Sequence, residues 1–77
     1  MPDLSELIPG EEAIIERMLT SGQMRKRLKD LGFTDGTEIE CVSVSPSGNP
    51  KAYLIRGAVI ALRCKDCQKI EIKKVLS

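Results

Sequence analysis

The 77-residue chain has no histidine and no tryptophan, and its only aromatic residues are Phe33 and Tyr53. Without histidine it lacks the commonest general base and a leading zinc and iron ligand. Two rings are too few for the stacking platform that single-stranded nucleic acid needs. Charge of one sign is also missing: 12 Lys and Arg stand against 11 Asp and Glu, for a net charge of +1. That balance gives no electrostatic reason to expect nucleic acid as a partner. No apolar run approaches the roughly 18 to 20 residues of a membrane span, so direct membrane insertion is not expected. The opening Met1-Pro2-Asp3 is not a basic region followed by an apolar one, and the expected location is cytoplasmic. Cys41, Cys64 and Cys67 are odd in number and follow no secretory signal, which argues against a disulfide framework. The length fits one domain over residues 1–77, near the size at which a single core just outweighs a chain entropy of roughly 1.5 kcal/mol per ordered residue.

The most apolar stretch is Tyr53 to Arg63, interrupted by Arg56-Gly57. Tyr53 and Ile55 before that pair, and Ile60 and Leu62 after it, repeat with the two-residue period of a strand face, while Gly57 suits the positive φ of a tight turn. A core hairpin follows. Upstream, Leu4 and Leu7 read as a lead-in laid on the core and ended by Pro9-Gly10, with a first strand over 11–18 that points Ala13 and Ile15 inward. Thr20 or Ser21 is placed to cap a helix starting near Gln23, in which Met24, Leu28 and Leu31 form one apolar stripe. Gly32 ends that helix and Phe33 folds back on it. A strand over 37–44 carries Ile39 and Cys41 inward, with a bulge at Val42. Pro46, Gly48 and Pro50 make a loop, residues 63–69 one polar helical turn, and 70–75 a closing strand. The fold class is therefore mostly β: a small SH3-like barrel of about five strands, one α-helix after the first strand and a short helical turn before the last.

Five motifs in register carry a resemblance: Leu4-Ser5-Glu6-Leu7-x-Pro9-Gly10-Glu11, Arg27-Leu28-x-x-Leu31-Gly32-Phe33-x-x-Gly36, Gly48-x-Pro50, Arg56-Gly57-x-x-Ile60-Ala61-Leu62-Arg63 and Ile70-x-Ile72. Together they resemble the FeoA core domain of bacterial ferrous-iron transport over nearly the whole chain. The resemblance implies an SH3-type barrel and a non-catalytic accessory protein whose partner is the cytoplasmic GTPase part of a FeoB-type membrane transporter. Most of the motif residues have fold roles. Gly32, Gly36 and Pro50 set turns, and Leu28, Leu31, Ile60 and Leu62 are expected in the core.

Three sets of residues are candidates for more than folding. Arg27 and Arg63 either lay their stems on apolar surface and pair with Asp30, Asp35 or Glu38, or present their planar forks to a carboxylate-bearing partner. Cys64 and Cys67 have the spacing of a two-thiolate pair for Fe(2+) or Zn(2+), but a structural zinc site takes four ligands and Cys41 is the one further cysteine. The family pattern requires cysteine at neither position, so ordinary reduced thiols with Cys67 packed inward are the plainer reading; metal binding would need a homodimer in which two pairs form a four-sulfur site. Val59, with Val42 and Leu54, faces away from the barrel interior and either belongs to a partner-binding patch or, with Leu54, packs under the helix.

Two functions from different classes follow. One is a binding module that regulates a FeoB-type transporter. The other is a metal-responsive regulatory domain, because the same fold resembles the C-terminal SH3-like domain of iron-dependent repressors; the missing histidine ligands count against it. An enzyme is not expected, since the sequence holds no nucleophile–base pair, no pocket-forming carboxylate cluster and no Gly-rich phosphate loop.

Overall fold

The alternating segments become strands, and the polar or glycine-bearing segments become the turns between them. In the computed structural model, which describes residues 2–75, these are β1 (Glu12–Met18), β2 (Glu38–Val44), β3 (Lys51–Ile55), β4 (Ala58–Leu62) and β5 (Ile70–Lys74). Helix α1 (Gly22–Asp30) follows β1, and the single turn α2 (Cys64–Cys67) precedes β5. The lead-in forms a 3-10 turn over Leu4–Glu6, capped by Asp3, whose side chain accepts from the Ser5 N–H.

Among the described residues the strands form one antiparallel sheet in the order β4-β3-β2-β1-β5, curved towards a barrel but not closed. The β3–β4 hairpin turns on two residues, Arg56 at φ 48° and Gly57 at φ 82°, the twist a two-residue loop needs. Register breaks between Cys41 and Ser43, which is the bulge expected at Val42. Leu4, Leu7, Ala13, Ile15, Phe33, Cys41, Tyr53, Cys67, Ile70 and Ile72 are fully buried, and Ile39, Ile55 and Leu62 nearly so. Lys51 Nζ donates to the carbonyls of Ser5 (2.5 Å) and Leu7 (3.1 Å), and Tyr53 Oη donates to Leu4 O (3.1 Å), so β3 pins the lead-in over the core.

The sheet treats its two edges differently. The Ile72 N–H on β5 donates to Pro2 O (3.0 Å) and Asp3 is bridged to Glu71, so the lead-in covers that edge. Beyond β4 no strand follows among the described residues.

Two expectations need correction. Ser21 is the N-cap of α1 but makes no side-chain capping bond, and the hydroxyl of Thr20 is buried without a partner among the described residues. Of the helix stripe only Leu28 is buried; Met24 and Leu31 are 36% and 42% exposed, and Ile60 opposite them is half-buried. The stripe shares one face as its spacing requires, but α1 stands off from the sheet at both ends.

Candidate functional site

Helix α1 ends abruptly because Gly32 (φ 106°) takes the left-handed conformation. Its N–H donates to Lys29 O (3.0 Å) while the Phe33 N–H reaches back to Leu28 O (2.9 Å), the paired bonds of a Schellman motif. The fully buried Phe33 anchors this end in the core. The Arg56 side chain lies across Gly32 so closely that a Cβ there would stand 2.8 Å from Arg56 Cδ. Hairpin turn and helix end thus hold each other in place, and α1 runs alongside β4.

Between them lies a groove of about 420 Å³. Met24, Leu28 and Leu31 line the helix side, Ile60, Ala61 and Leu62 the strand side, and Arg27, Arg63 and Asp66 also border it. Arg27 and Arg63, far apart in sequence, meet at this groove. Among the described residues the ion pairs are Arg17 with Glu71 and Lys74 with Glu11, so neither Arg27 nor Arg63 pairs with Asp30, Asp35 or Glu38. Both guanidinium groups are on exposed residues.

Val59, at 66% exposed, is not part of this groove. It stands opposite Leu54 on the outer face of the hairpin, so neither residue packs under α1. Close by on the outer face, Glu12, Glu38, Glu40, Leu54, Arg56 and Gly57 line a second depression of about 460 Å³. Met24 and Leu31 are surface residues, where their spacing predicts core, whereas Ile60 is half-buried and packs against the core. Periodicity alone does not show which part of an apolar face is covered.

Cys64 and Cys67 sit on α2, one turn apart. The Cys64 N–H donates to Asn49 Oδ1 (3.1 Å) and its thiol to Gly48 O (3.5 Å), which ties α2 to the loop before β3. Cys67 is fully buried, as expected. Burial pushes its thiol up from 9.0 to about 11, against the opposing pull of the adjacent Tyr53 hydroxyl. Burial likewise raises Cys41 and Tyr53. A protonated, buried thiol is a poor metal ligand. Among the described residues no group of three or more Cys, Asp or Glu side chains is arranged to hold a metal ion.

A family model described as the FeoA domain matches residues 3–74. The chain belongs to the FeoA family. It is 38% identical over 74 residues to an Fe(2+) transport protein A/Fe(2+) transporter FeoB fusion protein from Porphyromonas gingivalis, a match covering 96% of the chain and 9% of that protein. Its fold is similar to the solution structure of iron(II) transport protein A from Clostridium thermocellum, with a TM-score of 0.92 and 39% identity over 96% of the chain and 46% of that one. It is also similar to a zinc complex of FeoA from Stenotrophomonas maltophilia, described as a procaryotic SH3 domain protein, with a TM-score of 0.84 and 26% identity over 95% and 91% of the two chains. The chain thus spans under half the length of the first two relatives. The sheet and helices found here agree with the SH3 architecture named for the Stenotrophomonas maltophilia relative. Among the described residues no helix is long and apolar enough to cross a membrane.

Proposed function

We propose that this chain is a non-catalytic, cytoplasmic accessory protein of ferrous-iron uptake that binds the GTPase region of a FeoB-type transporter. The observation that carries the reading is the fusion protein, in which a segment 38% identical to 96% of this chain shares one polypeptide with a FeoB transporter. Two partners joined in one chain are held at high effective concentration, an arrangement useful when the separate domains associate weakly. The exposed groove between α1 and β4, bordered by Arg27 and Arg63 in no ion pair among the described residues, is surface suited to such an association. Calorimetric titration of the chain against the cytoplasmic region of a FeoB-type transporter tests it. Saturable binding with a Kd in roughly the micromolar range is expected; no heat at high micromolar concentration would dismiss the reading.

Direct binding of Fe(2+) or Zn(2+) is a second reading, supported by the zinc complex of the Stenotrophomonas maltophilia relative. On this chain Cys64 and Cys67 are the candidate donors, and two thiols from each of two copies would be needed for a four-sulfur site. Zinc titration of the chain and of a Cys64→Ser, Cys67→Ser variant separates the cases. Equal affinities would remove the cysteine pair from consideration.

A further inference from the structure

The two edges of the sheet are unequal. The β5 edge is covered by Pro2 and Asp3, whereas β4 reads Ala58-Val59-Ile60-Ala61-Leu62, without a charge or a proline. Natural sheets protect an exposed edge with charge, proline or a covering segment, because a bare apolar edge is a template for another strand. Register shows which groups are bare. In a two-residue hairpin the pair beside the turn, Ile55 and Ala58, exchanges hydrogen bonds, and so does every second pair beyond it. Tyr53 and Ile60 are then bonded, while Val59 and Ala61 turn their N–H and C=O groups outward. Among the described residues neither finds a backbone partner there.

Those outward groups border the groove. A strand laid against β4 would send alternate side chains in against Met24, Leu28, Leu31 and Ile60. The balance of charge at the groove is positive: Arg27 and Arg63 border it, and α1 as a whole carries Arg25, Lys26, Arg27 and Lys29 against Asp30. Asp66 is the one carboxylate on the groove wall. A second copy of this chain would bring two basic helices and two Arg63 side chains towards each other. A segment bearing carboxylates would complement them.

We propose that β4 is a strand-addition site: an extended segment of the transporter's cytoplasmic region, apolar at alternate positions and flanked by acidic residues, pairs with Val59 and Ala61 while its carboxylates bind Arg27 and Arg63. This rests on the binding reading above and specifies its surface and mode. It also gives Val59 a part through its backbone, although its side chain points away from the groove.

The test follows amide hydrogen exchange of the full chain with and without the transporter's cytoplasmic region, alongside binding by Ala61→Pro and by an Arg27→Ala, Arg63→Ala double variant. Proline at 61 removes an outward N–H and no bond to β3. The Val59 and Ala61 amides are expected to exchange at least about tenfold more slowly in the complex, and each variant to bind at least about tenfold more weakly. The exchange measurement decides the matter even if Ala61→Pro fails to fold. Binding that leaves both amides unprotected and is insensitive to the arginines would overturn strand addition while leaving the partner intact. No binding at all would instead remove the partner, and this inference with it. Protection of the same amides that rises with the chain's own concentration, without transporter, would assign the edge to a second copy and overturn the proposal too.

Discussion

Gly32 has two reasons to lack a side chain, and they can be separated. Its φ of 106° is costly for any residue with a Cβ, and that Cβ would press on Arg56. Gly32→Ala is expected to lose about 1–2 kcal/mol in urea denaturation. Adding Arg56→Ala relieves the contact but not the backbone strain, so a double-mutant cycle should show coupling of at least about 0.5 kcal/mol. Cys67 carries a pH dependence. Its pKa is about 11 when folded against 9.0 ordinarily, so the folded chain holds more protons between those values and stability falls as pH rises through that window. The contribution is present in full below pH 9.0. The unfolding free energy from urea denaturation should drop by on the order of 1–2 kcal/mol on going from about pH 8 to about pH 10, and Cys67→Ala, though less stable throughout, should show a shallower decline.

Among the elements, the lead-in depends most on a few contacts. Lys51 holds two of its carbonyls and Tyr53 a third, while its first residues supply the partners of β5. Lys51→Met should cost about 1–2 kcal/mol and speed exchange of the Ile72 amide, whose acceptor is Pro2 O. Unchanged exchange would mean that Leu4 and Leu7 hold the segment by burial alone. Much at this scale was legible beforehand. Two-residue alternation located the strands, Arg56-Gly57 the hairpin turn, and Gly32-Phe33 the end of α1, because these are local rules with local causes. What escaped was set by distant neighbours. Met24 and Leu31 lie in the stripe their spacing predicts, yet nothing in that spacing shows that the sheet covers only Leu28. Likewise the meeting of Arg27 with Arg63, and the placement of β4 at an open edge, follow from strand order, which no single segment encodes.

For the whole molecule, the net charge of +1 conceals an uneven distribution: four basic residues against Asp30 on α1, and Glu12, Glu38 and Glu40 against Arg56 around the outer depression. Such a distribution orients an approaching charged partner, and added salt screens it. The association rate with the proposed partner, the cytoplasmic region of a FeoB-type transporter, measured by stopped flow, is therefore expected to fall several-fold between low and physiological salt while dissociation changes little. A salt-independent rate would mean that the basic helix plays no part in encounter. The covered β5 edge bears on a different hazard. A sheet with two bare edges can add copy after copy without limit, as fibrils do. Here Pro2 and Asp3 cover one edge, so two copies joined through β4 would present only covered edges and add no third.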